Sequence, residues 1–214
     1  MFMARRQTAR TTVAVAFIVA LAATAQAGPP LICHPFDVGT AKLLPWDATA
    51  KSWNAPDPSY DVRNLTADTL RLLSPDAPVV LRMETLRRAA IYAARDQRSA
   101  ADLLRAVMAR AETDAGKARD PLAWFDAGYL VESYKQVSSA FNRNTVDVGK
   151  LPGELSSVDG YGMVKKALLL SGSNPEMEFA ASLMTRGDAS ADHRRRAAAG
   201  APAGSLLAKN LATH

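Results

Sequence analysis

The stretch from Val79 to Ala94, VVLRMETLRRAAIYAA, decides the fold class. Val79, Met83, Leu86 and Ala90 recur at i, i+4, i+7 and i+11, and Ala94 continues the same line. That spacing draws one apolar stripe along an α-helix running to about Arg95, with Pro78 where a helix can begin. Strands would alternate at period two, and no stretch of the chain does so.

Working outward, the same period repeats on both sides. Leu65 to Leu73 reads as a short helix closed by Ser74-Pro75. Downstream, Ser99 with Asp102 reads as an N-cap pair, followed by the stripe Ala100, Leu103, Leu104, Val107, Met108 and Ala111, which Gly116 breaks. Asp120-Pro121 opens the next helix, whose face is Leu122, Phe125, Tyr129, Tyr134, Val137 and Phe141. Asn142 to Val158 is irregular. Asp159 then caps a helix to about Leu170, and Asn174-Pro175-Glu176 starts another with Gly187 as its stop. An alanine-rich helix from Ser190 to Ala199 ends at Gly200, and Ser205 to Leu211 forms a last short piece. The expected class is all-α. Start points at Val79, Pro121 and Gly160 lie about 40 residues apart, which predicts a small helical-repeat-like (α-solenoid) array.

The first 27 residues have the grammar of a secretory leader: Arg5, Arg6 and Arg10, an uncharged run from Val13 to Ala23, then Ala25-Gln26-Ala27. The apolar run is about half the ~20 residues that span a bilayer, so cleavage after Ala27 is expected, with no transmembrane segment left behind. Export by the Sec route to the periplasm or the exterior follows. The chain divides as 1–27 leader, 28–61 arm and 62–214 helical domain. The arm holds six of the twelve prolines and two of the three tryptophans, Trp46 and Trp53, and is expected to lie extended along the body.

Without its three arginines the leader leaves 23 basic against 21 acidic residues, nearly neutral. A nucleic-acid partner would need a broad basic face, and the one basic cluster is Arg194-Arg195-Arg196. That cluster and the two arm tryptophans are the candidate contacts for a protein or peptide partner.

Two local resemblances add expectations. Trp124-Phe125-Asp126-Ala127-Gly128 resembles the first helix of a tetratricopeptide repeat, whose family implies a protein-binding groove. Gly28-Pro-Pro-Leu-Ile-Cys-His-Pro-Phe-Asp-Val-Gly39 looks like the mature start of uncharacterised exported bacterial proteins, which implies no function.

The chemistry-bearing residues are few. Cys33, His34 and Asp37 lie within five positions and offer a soft or borderline metal a thiolate, an imidazole and a carboxylate. Neighbours in an extended chain point apart, so the preferred reading has Cys33 packing as a small apolar group while His34 hydrogen-bonds the helical body. A lone exported cysteine is also open to an intermolecular disulfide, and hence a covalent dimer. As a nucleophile it would need a base in reach, His34 or His193, oriented by a third group. Glu176 and Glu178 are two apart in one helix and share no face, a poor acid/base pair. No H-E-x-x-H, P-loop or G-x-S-x-G occurs. The leading expectation is an exported, non-enzymatic helical-repeat protein that binds a protein or peptide without a cofactor. The alternative is a metal- or thiol-dependent protein centred on Cys33 and His34.

Overall fold

The computed structural model describes residues 31–47, 49–50, 52–113, 120–141 and 153–214. The expected leader, the expected break at Gly116 and most of the irregular stretch after Asn142 lie outside them. The elements are α1 (Leu65–Leu72), α2 (Val79–Ala93), α3 (Gln97–Thr113), α4 (Pro121–Phe141), α5 (Gly160–Ser171), α6 (Pro175–Met184), α7 (Gly187–Ala199) and α8 (Leu206–Thr213), with 3-10 turns at Val62–Asn64 and Gly153–Ser157. Among the described residues there is no strand, and the Trp46–Pro56 bridge is isolated. The protein is all-α, and its helices pack in pairs: α1 on α2, α3 on α4, α4 on α5 and α6 on α7.

Helix starts follow local chemistry. An N-terminal turn leaves backbone N–H groups without partners, and a short polar side chain accepts from them. Asp159 accepts from Gly162, Asn174 from Glu176 and Met177, and Ser205 from Ala208. Asp120 accepts from Leu122 at 2.8 Å. Two expected boundaries are corrected. The cap of α3 is Asp96, whose Oδ1 accepts from Ser99 N, while the Ser99 hydroxyl donates instead to Val62 O. Gly187 does not stop α6, which ends at Met184; it begins α7, three residues before the expected Ser190, with φ +58° that favours glycine.

The core lies around α2. Its stripe residues Met83, Leu86 and Ala90 are fully buried, as are Phe125, Tyr129 and Tyr134 of α4. Each such large apolar side chain contributes about 1.5–3 kcal/mol by leaving water. The backbones of α4 and α5 come closest at Gly128 and Gly160. A Cβ at Gly128 would stand 2.4 Å from Gly160 O and 2.9 Å from Met163 Cβ. The glycine of the Trp124–Gly128 segment is therefore needed for helix contact.

Gly128→Ala must push α5 away from α4, an overpacking that costs about 1–3 kcal/mol. Thermal unfolding followed by circular dichroism is expected to show a midpoint lowered by about 3–10 °C. An unchanged midpoint would mean that the two helices do not meet there.

Candidate functional site

The arm is held by side chains of the body. An extended segment that forms no ladder must find partners elsewhere for its N–H and C=O groups. Arg87 Nη1 donates to Ile32 O at 2.9 Å and to Trp53 O at 3.0 Å. Arg88 Nη1 donates to Leu44 O at 2.8 Å, and the Tyr92 hydroxyl donates to Pro45 O at 2.7 Å while accepting from Asp57 N at 2.9 Å. Glu84 Oε2 accepts from Phe36 N, and Asn210 of α8 exchanges two hydrogen bonds with the Asp37 backbone. All of these α2 residues lie one or two turns apart.

Arg87 and Glu84 are fully buried and form a forked pair at 2.7 and 2.9 Å. Burial alone pushes the Glu84 carboxyl up, but the Arg87 and Arg88 guanidiniums outweigh it and hold it below the usual carboxylate range. The other end of α2 carries a second buried pair, Arg82 Nη1 to Asp126 Oδ2 at 2.6 Å. Burial pushes the Asp126 carboxyl up to about 7 against the opposing pull of Arg82 and Arg110.

The expected metal residues are placed apart in role. Asp37 is exposed and its carboxylate accepts from Gly39 N at 2.8 Å. The His34 ring stands edge-on to His214, with centroids 6.0 Å apart, and its Nε2 is buried with no hydrogen-bond partner. Cys33 is half-buried against the core, and burial pushes its thiol up despite the nearby Arg87 charge. Among the described residues, no three or more His, Cys, Asp or Glu side chains gather as a metal site.

The expected partner contacts are engaged within the chain. The Trp46 ring lies 5.1 Å from each of the Arg87 and Arg88 guanidiniums and edge-on to Tyr92. Trp53 packs on the core, and its carbonyl is held by Arg87. The three arginines diverge. Arg194 donates to Leu211 O, Arg195 pairs with Asp192, and Arg196 Nε donates to Glu178 Oε1 at 2.8 Å.

That last contact belongs to a cluster the sequence did not reveal. His193, 7% exposed, contacts Glu178 Oε2 through Nδ1, and its Nε2 lies 2.7 Å from the Tyr161 hydroxyl. The divergence of Glu176 and Glu178 holds: Glu176 Oε2 turns to α2 and accepts from Val80 N at 3.1 Å. A sequence signal was present in the acid, the histidine and the tyrosine, but they sit on three helices.

A cleft of about 470 Å³ opens between the Val62–Thr66 segment and the start of α3. Arg63, Thr66, Asp96, Arg98, Ser99 and Asp102 supply its polar lining. Behind the walls, Leu65, Ala100 and Leu103 are fully buried, so both sides rest on packed core.

No family model matches the chain, and no curated protein or solved structure matches it either. Among the described residues, no helix is long and apolar enough to cross a membrane.

Arg87→Met keeps most of the side-chain volume but leaves the Glu84 charge buried, with the Ile32 and Trp53 carbonyls short of a donor. Urea denaturation at neutral pH is expected to show a loss of about 3–5 kcal/mol. Because the folded Glu84 pKa is depressed, its contribution is present above the unfolded value of ~4.3 and fades as pH falls through the folded value. The gap between wild type and variant should therefore shrink below about pH 4. A gap constant with pH would show that Glu84 is not the partner that matters.

At mildly alkaline pH, iodoacetamide should alkylate Cys33 at least ~10-fold more slowly than it alkylates glutathione, since a desolvated thiol yields little thiolate. Alkylation as fast as glutathione would restore Cys33 as a reactive group.

Proposed function

We propose that this chain is an exported helical module that binds a segment of another protein or peptide in the cleft between Val62–Thr66 and the start of α3. The observation that carries this reading is the cleft itself. Its volume of about 470 Å³ falls within the range of sites that enclose a ligand. The lining alternates guanidinium, hydroxyl and carboxylate, which suits a peptide backbone with charged side chains. The Arg63 and Arg98 side chains are 87% and 91% exposed and pair with Asp61 and Asp102, so an acidic segment would bind by taking the place of those carboxylates. The backbone of an extended ligand presents donors and acceptors, which Thr66 and Asp102 complement. In the same molecule, α2 holds an extended segment through side-chain contacts to its backbone. That intramolecular contact supports the reading by analogy only.

The test is a photo-crosslinking amino acid placed at Thr66 in the full-length, exported chain, compared with the same group at Leu169 on α5, which is 85% exposed. A discrete adduct is expected at position 66 only, its crosslinked peptide carrying acidic residues, and Arg98→Glu should remove it. Equal labelling from both positions, or none from 66, would reject the cleft as a binding site.

A further inference from the structure

A buried polar atom without a hydrogen bond costs free energy, so a donor and an acceptor left bare side by side mark an arrangement with an alternative. Arg110 Nη1 and Asp126 Oδ1 are such a pair: both are buried, and neither makes a hydrogen bond. Asp126 of α4 is 1% exposed, and its Oδ2 accepts from Arg82 Nη1 at 2.6 Å. Arg110 Nη1 of α3 stands 3.8 Å from the same Oδ2, about 1 Å beyond a charge-assisted hydrogen bond. The other amino group of Arg110 is committed elsewhere, for Nη2 donates to Leu73 O at 3.2 Å.

Leu73 closes α1. It is the C-cap, and its N–H donates to Thr69 O at 3.0 Å. A helix of eight residues does not persist unaided, so α1 depends on what grips its ends. At this end the grip is two guanidiniums, Arg110 on Leu73 O and Arg82 on the Ser74 and Ala77 carbonyls. Asp126 is the acid that both of them face. The other charges around it are Asp120 ahead of α4, which opposes its ionisation, and Asp76, exposed in the α1–α2 connection. On the remaining neighbours of α4, Lys166 of α5 lies over the Trp124 ring and Glu176 of α6 accepts from Val80 N.

We propose that Arg110 is a proton-controlled clasp, which grips the end of α1 while Asp126 is neutral and shifts to the Asp126 carboxylate when that group ionises, releasing Leu73 O. An ionised carboxylate calls for donors on both oxygens, and Arg110 Nη1 is the bare donor beside it. In the shifted state both bare atoms are filled, and the last turn of α1 has lost one of its two grips. Burial has already pushed the Asp126 carboxyl up to about 7, which places the exchange near neutral pH. The gripped state binds the proton more tightly than the shifted one, so it is favoured below that value and lost as pH rises through it. Val62, Arg63 and Thr66, at the other end of α1, line the cleft. The clasp therefore regulates the cleft; this consequence rests on the cleft reading, whereas the release of α1 does not.

The experiment follows hydrogen exchange of the full-length protein, without ligand, at about pH 6 and about pH 8, each amide being corrected for its intrinsic rate. Amides of the last turn of α1, Leu70 to Leu73, are expected to lose about 10-fold protection at the higher pH. That ratio follows if the Asp126 carboxyl falls from about 7 to its ordinary ~3.9 in the shifted state. Amides of α6 are the reference and should keep their protection. Asp126→Asn, neutral and of the same shape, should keep at the higher pH the protection that the wild type has at the lower. Equal protection of α1 at both pH values would overturn the proposal, as would a loss shared equally with α6. If Asp126→Asn does not fold, the carboxyl carbon resonance of Asp126 in the wild type decides: a midpoint near 7 supports the clasp and one near ~4 overturns it. Crosslinking from position 66 at the two pH values then reads the cleft. An adduct lost at the higher pH supports regulation, an adduct unchanged while α1 responds overturns regulation alone, and no adduct at either pH rejects only the cleft reading.

Discussion

The structure depends on a charged pair placed where a hydrophobic core would be expected. Arg87 and Glu84 sit fully buried in the middle of α2. Taking two such ions out of water costs several kcal/mol each, and mutual attraction offsets that only when the remaining donors and acceptors are also filled. Here they are filled from the arm. The two Arg87 bonds that do not go to Glu84 end on the Ile32 and Trp53 carbonyls, and Glu84 accepts from Phe36 N and Arg88 as well. The pair and the arm are therefore mutually dependent. Without the arm the ions would lose those partners; without the ions the arm's backbone groups would be buried unpaired. Leu31, Ile32 and Phe36 add apolar burial to the same contact.

The rest of the body follows from this arrangement of α2. One of its charged faces holds the arm, and Arg82 on another turn holds the α1–α2 connection and α4. Arg82 donates to the Ser74 and Ala77 carbonyls and pairs with Asp126. Charges that would normally mark a solvated helix face thus point inward in both directions. A helix buried on all sides needs partners all round, and α2 finds them in α1, α3, α4 and α6 as well as in the arm.

How much of this the sequence disclosed depends on the range of each interaction. The helical class was legible because a 3.6-residue period is a local property, and the helix starts at Asp120, Asp159 and Asn174 were legible because each acts on the next two or three N–H groups. Ser99 was misassigned as a cap because Asp96, three residues earlier, is an equally good acceptor and reached the amide first. The polar side of α2 was not legible at all. No local pattern marks Glu84, Arg87 and Arg88 as buried, and it is the arm, tens of residues away in sequence, that makes their face an inner one. His214 beside His34 is the same lesson at a separation of 180 residues.

The contrast between Cys33-His34-Asp37 and Tyr161–His193–Glu178 shows why proximity in sequence is a poor guide to chemistry. Successive residues of an extended segment leave it in different directions, and the arm sends Cys33 to the core, His34 toward His214 and Asp37 to the surface. Convergence instead needs rigid elements in a fixed register. The α6–α7 hairpin supplies one. Gly200 lies so close to Pro175 that a Cβ there would stand 2.8 Å from the ring, and the Ser190 hydroxyl reaches Ser182 O at the other end. Between those two contacts, the antiparallel register sets Glu178 opposite His193 and Arg196. Helix α5 then needs only to lay Tyr161 against the hairpin, and its close contact with α4 at Gly128 and Gly160 fixes where its first turn stands. The polar cluster is thus a consequence of backbone packing at glycine and proline, set before any of its side chains is considered.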